Sequence, residues 1–203
     1  MRESTRTLII RKSDLNADGV YKEKDLVFDG SIVFESRIGT VTILGRICAS
    51  KSILARDGVD IKAGGYIEAG VDIKTGGNID AGWYIKAGCS ITARWHIKTD
   101  FGSIKAGWYI KAGGSIIAGG CIEAGDSIKA GWCIEAGDGI EAGDGIEANW
   151  GIISGLSWDS SDITAKWISA KGRIVCGFRN TSKISGKIIS GELVIGNHNE
   201  GGL

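Results

Sequence analysis

The chain has 203 residues, 33 glycines and no proline, and its 24 basic and 24 acidic side chains give a formal net charge of zero. Zero net charge argues against a general binder of nucleic acid or of acidic membranes. No apolar run is long enough for a transmembrane helix, and the apolar stretch near the N-terminus is too short for a signal peptide. We therefore expect a cytoplasmic protein without a membrane partner.

The N-terminal segment, residues 1–27, is predicted to form a cap, because the open end of a stack of strands exposes unpaired edges. Within it, the segment DLNADGVYKEKD places Asp14, Asn16, Asp18, Gly19 and Asp25 at the spacing of a calcium-binding loop. The last ligand position holds Asp instead of the usual Glu, which resembles the dockerin variant of this loop. A plain Asp-Gly turn is the alternative, and the sequence leaves metal binding open.

A six-residue repeat occupies residues 61–155. Isoleucine recurs every sixth residue from Ile61 to Ile97 and, after one extra residue in IKTDFGS, from Ile104 to Ile152. Alanine follows most of these isoleucines by two positions, and glycine follows the alanine. Residues two apart on a strand point to the same side, so Ile and Ala are predicted to face a core and the residue between them to face water.

The glycine of each hexad is predicted to turn a corner with positive φ, which glycine adopts without steric cost. Asn149 takes the place of this glycine once and suits that conformation, because asparagine tolerates the left-handed region. A strict period of six with glycine in nearly every repeat excludes a helix. The extra residue in IKTDFGS is the only interruption between Ile61 and Ile152.

One hexad supplies one short strand and one corner, so three hexads, about 18 residues, close a triangular coil that rises ~4.8 Å. The predicted fold class is all-β: a three-sided parallel β-solenoid, or β-helix, of hexad repeats. The solenoid is predicted to span residues 28–203, with regular hexads at 61–155 and degenerate coils at both ends.

The hexads, such as GSIKAG at 102–107 and GSIIAG at 114–119, resemble those of two known groups. They are similar to the repeats of bactofilins, which are polymer-forming cytoskeletal β-helices, and to the left-handed β-helix of hexapeptide-repeat acyltransferases. The first resemblance implies self-assembly. The second implies acyl transfer with a catalytic histidine, for which His96 would be the candidate within the repeats.

Tryptophan and acidic residues occupy outward positions of the later hexads. From Trp108 to Trp150 the fifth position of the hexad holds Trp, Gly or Asp, which does not fit a core position. Trp132 and Trp150 are predicted to lie on neighbouring coils. From Ala112 to Ser160 the only basic residue is Lys129. The tryptophans could simply cover glycine-rich backbone, and the charges could form an ordinary solvated face. The more specific hypothesis is that these residues form an interaction surface, because aromatic anchors surrounded by charge favour docking. The predicted surface comprises Glu123, Asp126, Trp132, Glu135, Asp138, Glu141, Asp144, Glu147 and Trp150.

Signals for catalysis, cofactors and zinc are absent from the sequence. It contains no GxSxG, phosphate loop or HExxH, its five cysteines form no CxxC pair, and it has two histidines. An odd number of such cysteines is typical of a protein with reduced thiols. We therefore expect no catalytic or cofactor-binding residues.

These features favour a non-enzymatic interaction or scaffold protein that acts through its outer faces and self-associates, as a homodimer or another homo-oligomer. Its partner is then a protein and not a nucleic acid. Two alternatives stay open. One is an inhibitor or decoy encoded by a phage or mobile element, whose acidic surface docks on a host nucleic-acid-binding protein. The other is a hexapeptide-repeat acyltransferase.

Overall fold

Stacked hexads form a parallel β-solenoid. A computed structural model describes residues 6–155, 162–176 and 184–195, which form one parallel sheet of 24 strands wound into about eight turns of roughly 19 residues. The described residues contain no α-helix, and a 3-10 turn lies at Lys12–Asp14. No helix in this part of the chain is long and apolar enough to cross a membrane. The predicted all-β solenoid is confirmed.

Each turn contributes one strand to each of three faces, which the chain visits in the order face 1, face 2, face 3. Face 1 contains β2 (Leu26–Phe28), β5 (Ile47–Ala49), β8 (Ile67–Ala69), β11 (Ile85–Ala87), β14 (Ile104–Ala106), β17 (Ile122–Ala124) and β20 (Ile140–Ala142). Face 2 contains β1 (Thr7–Ile10), β3 (Ser31–Phe34), β6 (Ile53–Ala55), β9 (Ile73–Thr75), β12 (Ile91–Ala93), β15 (Ile110–Ala112), β18 (Ile128–Ala130) and β21 (Gly145–Ala148). Face 3 contains β4 (Thr40–Ile43), β7 (Asp60–Ala63), β10 (Ile79–Ala81), β13 (Ile97–Thr99), β16 (Ile116–Ala118), β19 (Ile134–Ala136) and β22 (Ile152–Ser154). The longer strands β23 (Ile163–Cys176) and β24 (Ile184–Ile195) continue the stacks, and β23 pairs with β20, β21 and β22 in turn.

The core is a column of identical side chains on every face. Ile61 pairs with Ile79, and Ile79 pairs with Ile97, so equivalent residues stack directly. The hexad isoleucines are fully buried, the alanines two positions later are nearly so, and the residues between them are at least partly exposed. This is the predicted alternation of inward and outward residues, and it follows from the two-residue period of a strand.

The hexad glycines from Gly64 to Gly143 are required by close stacking and not by a left-handed backbone, so the prediction of positive φ is wrong at these positions. It is confirmed at Gly155, whose φ is +89°. From Gly64 to Gly143 no described glycine has positive φ, and neither has Asn149. A Cβ atom at Gly131 would lie 1.9 Å from the carbonyl oxygen of Gly113 in the preceding coil. Successive coils approach so closely here that a side chain would collide with backbone.

The one extra residue in the repeat leaves a single side chain exposed at a corner. Asp100 N–H donates to the Ala81 carbonyl oxygen at 3.1 Å, and Gly102 N–H donates to the Trp83 carbonyl oxygen at 2.8 Å. Phe101, between these two bonded residues, is 77% exposed. The extra residue is therefore confined to a corner, and the strands after it stay in register with the isoleucines and alanines of the preceding coil.

The N-terminal segment contributes strands to the stacks as well as loops. β1 pairs in parallel with β3, and β2 pairs with β5. Ile10, Tyr21 and Leu26 are buried against the core. The division into a cap at 1–27 and a solenoid at 28–203 stays a prediction, and parts of it at 1–5, 156–161, 177–183 and 196–203 lie outside the described residues.

Candidate interaction surfaces

Three tryptophans form a row along the edge where the chain passes from face 2 to face 3. We call Trp95, Trp132 and Trp150 the tryptophan edge; Gly114 lies between the first two. Trp150 N–H donates to the Trp132 carbonyl oxygen at 2.9 Å, and Trp132 N–H donates to the Gly114 carbonyl oxygen at 3.1 Å. The three tryptophans are 54–74% exposed. Trp132 and Trp150 therefore lie one coil apart, as their spacing predicts, and the edge presents aromatic surface to solvent.

His96 fills the gap that Gly114 leaves in this row. A Cβ atom at Gly114 would lie 2.6 Å from His96 Cε1, so the imidazole lies over the glycine. His96 Nδ1 accepts a hydrogen bond from Ser115 N–H at 2.9 Å, and its ring packs edge-on against Trp132 with centroids 6.1 Å apart. These contacts give His96 a structural role in joining its own coil to the next two.

Five of the predicted acidic residues surround face 1. Glu123 and Glu141 are the outward residues of the neighbouring strands β17 and β20. Asp126 and Asp144 lie at the corner where the chain leaves face 1, and Asp144 N–H donates to the Asp126 carbonyl oxygen at 2.7 Å. Asp138 lies at the other corner, where the chain enters face 1. We call these five residues the acidic face.

The other predicted residues lie elsewhere on the triangle. Trp132 and Trp150 lie on the edge opposite face 1, because that edge joins faces 2 and 3. Glu135 projects from β19 on face 3 beside Ile153 of β22, and Glu147 projects from β21 on face 2. The structure thus separates an acidic face from a tryptophan edge and does not bring the nine residues into one patch.

Lysines from adjacent coils neutralise part of the acidic face. Lys105 Nζ lies 2.7 Å from Glu123 Oε1, and Lys166 Nζ lies 3.5 Å from Asp144 Oδ1. Within the described ranges, Glu141 has no cation at ion-pairing distance. Exposed ion pairs contribute only about 0–1 kcal/mol, so these pairs leave the face open to further charged contacts.

The N-terminal half of face 1 carries aromatic and basic side chains that are not among the predicted interaction residues. Tyr66 and Tyr84 stack with ring centroids 4.5 Å apart and planes 8° apart, and Lys86 and Lys105 are outward residues of adjacent strands. The Tyr84 hydroxyl donates to Glu68 Oε2 at 3.4 Å. Burial and the nearby Glu68 carboxylate raise the pKa of Tyr84 to about 12. Arranging the sequence in rows of one coil would have shown this column.

A shallow cavity of about 300 Å³ lies on face 3 among charged and aromatic side chains, including Lys62, Asp80, Lys98, Trp83 and Phe101. Burial raises the pKa of Asp80, although the ammonium groups of Lys62 and Lys98 oppose this effect. Ligand pockets are usually concave and mostly apolar, and this cavity is open and charged. It therefore lacks the features of an enclosed substrate site.

The proposed calcium-loop residues are hydrogen-bonded within a turn. Asn16 Oδ1 accepts from the N–H groups of Asp18 and Val20 at 3.0 and 2.9 Å, and Gly19 has φ +76°. Asp14 Oδ2 accepts from Arg11 N–H, and Asp25 Oδ1 accepts from Arg46 N–H. Among the described residues, no group of three or more His, Cys, Asp or Glu side chains could hold a metal ion.

The outer surfaces therefore combine repeated charges, exposed tryptophans and stacked tyrosines on a rigid frame. Their spacing is set by the coils, which repeat every ~4.8 Å. Comparison with protein-family models, with curated proteins and with solved structures finds no match to this chain. Function is therefore inferred from the geometry of these surfaces.

Proposed function

We propose that this protein is a non-enzymatic β-solenoid that acts through its outer faces as an interaction or scaffold protein and self-associates. The observation that carries the proposal is the exposure of tryptophan: Trp83, Trp95, Trp108, Trp132 and Trp150 all lie at corners and are each more than half exposed. Tryptophan is the residue most enriched among the anchors of protein interfaces, and exposed aromatic rows mark interaction sites.

Two modes of self-association follow from a solenoid. End-to-end stacking, as in the bactofilins that the hexads resemble, would give filaments, whereas lateral pairing of flat faces would give a closed dimer. The charged N-terminal segment disfavours end-to-end stacking, so we propose the dimer.

Sedimentation velocity over about a hundredfold range of concentration tests this proposal, because a reversible dimer shifts with concentration. We expect a concentration-dependent shift from monomer to dimer. Unbranched filaments in electron micrographs would favour the bactofilin-like mode instead. A strict monomer at every concentration would contradict self-association.

The acidic face supports a second candidate function, a decoy that docks on a basic surface of a nucleic-acid-binding protein. Carboxylates at a regular spacing attract and steer a basic partner. Affinity capture from a host extract with the wild-type protein and with a Asp126→Lys, Glu141→Lys variant tests it. One basic partner that is retained by the wild type and lost by the variant would support the decoy, and equal capture by both would contradict it.

A further inference from the structure

Face 1 is complementary to itself when two copies lie antiparallel, and we propose that a second copy of this chain binds there. The inference rests on the proposed self-association and specifies its surface and geometry. The evidence is the order of side chains along the face. From β8 to β20 the outward row consists of Glu68, Lys86, Lys105, Glu123 and Glu141.

In the proposed dimer a two-fold axis relates the two copies; it runs parallel to the strands and passes between β14 and β17. The charges of face 1 are complementary about this axis. This axis sets Lys105 opposite Glu123 of the second copy, and Lys86 opposite Glu141 of the second copy, and each contact occurs twice. Packed sheets lie ~10 Å apart, a distance that extended Lys and Glu side chains span together. If the two solenoids instead lay parallel and face to face, each charged residue would lie opposite the same residue of the second copy, and like charges would repel.

Side-chain size is complementary about the same axis. The residue before the isoleucine is Tyr66, Tyr84, Ser103, Cys121 and Gly139 on successive strands of face 1 from β8 to β20. The axis therefore sets Tyr84 opposite Gly139 of the second copy and Ser103 opposite Cys121 of the second copy. Tyr84, the larger side chain of its pair, thus meets the smallest residue of this column, which leaves room for its ring.

The corners that border face 1 extend this pattern. Trp83 and Asp138 lie at the entry corner three coils apart, and Trp108 and Asp126 lie at the exit corner one coil apart. The two-fold axis sets each tryptophan opposite the aspartate of the second copy. An indole N–H is a donor only and a carboxylate is an acceptor only, so each pair is chemically matched.

The area of face 1 is enough for a reversible dimer. Eight strands from β5 to β24 lie along it. At ~4.8 Å per strand and about five residues of ~3.3 Å across, the face covers about 630 Å² per copy, or about 1,300 Å² in total. This is the lower end of specific interfaces, which predicts a concentration-dependent dimer. The pairing also supplies Glu141 with Lys86 of the second copy, a cation that the described residues of its own chain do not provide.

Two charge-reversal variants test the pairing. Lys86→Glu with Lys105→Glu makes the row acidic, and Glu123→Lys with Glu141→Lys makes its four contact positions basic. Each variant alone then opposes like charges at all four contacts, and we expect its dimer dissociation constant to rise at least about 30-fold. In an equimolar mixture every contact again joins opposite charges, so we expect a heterodimer at wild-type strength. Lys111→Glu, on the outward row of face 2, is the matched control and should dimerise like the wild type.

Sedimentation velocity and circular dichroism give distinct outcomes. A strictly monomeric wild type would overturn both the proposed self-association and this pairing. A dimeric wild type whose folded variants also dimerise alone would overturn the pairing and leave self-association intact. Folded variants that stay monomeric after mixing would overturn the antiparallel arrangement. Should a double variant fail to fold, the swap Lys86→Glu with Glu141→Lys in one chain keeps the row balanced; this chain should dimerise, and Lys86→Glu alone should not.

Discussion

At the scale of single residues, the solenoid depends on small side chains where coils touch and on large ones inside. The hexad glycines permit contact with the carbonyl oxygens of the preceding coil, as at Gly88, where a Cβ atom would lie 2.0 Å from Gly70 O. Glycine is not required at this position in every hexad, since the sequence has Arg94 and Asp100 at equivalent places. Whether a side chain fits depends on the residues of the adjacent coil. A substitution must therefore be judged from its own neighbours.

Gly131→Ala is expected to destabilise the protein by about 2 kcal/mol, a typical cost of overpacking. Its Cβ atom would lie 1.9 Å from Gly113 O, and backbone cannot rotate away as a side chain can. Gly139→Ala is the matched control, because its Cβ atom would lie 3.3 Å from the nearest atom, Asp162 O. Thermal unfolding measures both. Equal losses from the two variants would show that close stacking is not the cause.

Asp80 is expected to make the stability of the folded protein depend on pH. Burial raises the pKa of Asp80 despite Lys62 and Lys98, so the folded state binds this proton more tightly than the unfolded state does. The contribution of this group to stability is therefore greatest below the unfolded pKa of about 3.9 and falls as the pH rises through the folded pKa.

Asp80→Asn is expected to raise the midpoint of thermal unfolding slightly at pH 7, because it removes a charge that burial disfavours. The difference from the wild type should close as the pH falls toward about 4. Asp100→Asn is the control, since it removes an ion pair of 2.9 Å with Lys98 and should not raise the midpoint. A lower midpoint for Asp80→Asn at pH 7 would show that the two lysines outweigh burial.

At the scale of strands, side-chain acceptors join one coil to the next before strands β10, β13 and β16 of face 3. Asn78 N–H donates to Asp60 Oδ1 at 2.7 Å, His96 N–H donates to Asn78 Oδ1 at 3.0 Å, and Ser115 N–H donates to His96 Nδ1 at 2.9 Å. Each side chain accepts a hydrogen bond from the backbone N–H of the equivalent residue in the next coil. Strand register is therefore held at the corners as well as within the ladders.

Deletion of Phe101 is expected to preserve the fold with little change in stability, because the residues on either side of it already bond to the preceding coil. Deletion of Lys105 removes one residue as well, but it makes Ile104 and Ala106 neighbours, and adjacent strand residues cannot both face the core. We expect this second variant to lose several kcal/mol or to misfold. Thermal unfolding followed by circular dichroism distinguishes them, and similar behaviour of the two deletions would refute the argument from register.

The isoleucine period was sufficient to predict the strands, the three faces and the outward tryptophans, because a strand's alternation follows from sequence spacing alone. The conformation of the hexad glycines was not predictable in this way, since it depends on how closely two coils approach. The grouping of the acidic residues was also missed. Residues such as Glu135 and Glu141 are near in sequence but lie on different faces, whereas Glu141 and Glu123, a full coil apart, are direct neighbours.

At the scale of the whole molecule, the solenoid is a one-dimensional stack in which each coil contacts mainly its two neighbours. Stability in such stacks is approximately a sum over coils and their interfaces. The repeated register of the middle coils makes them interchangeable in principle. Ile122 pairs with both Ile104 and Ile140, and the segments 122–126 and 140–144 are identical in sequence.

Removal of one whole coil, residues 122–139, is therefore expected to give a folded and slightly less stable protein. The deletion joins Cys121 to Ile140, which sets Glu141 beside Lys105 in the place of Glu123 and sets Trp150 on Gly114 in the place of Trp132. The control deletion, residues 123–139, is one residue shorter and makes two isoleucines adjacent, so one of them must face water. Circular dichroism and the thermal midpoint measure both variants. A strand spectrum with a cooperative transition for the first deletion, and its loss for the second, is the expected result; equal tolerance of both would show that register is not what holds the coils together.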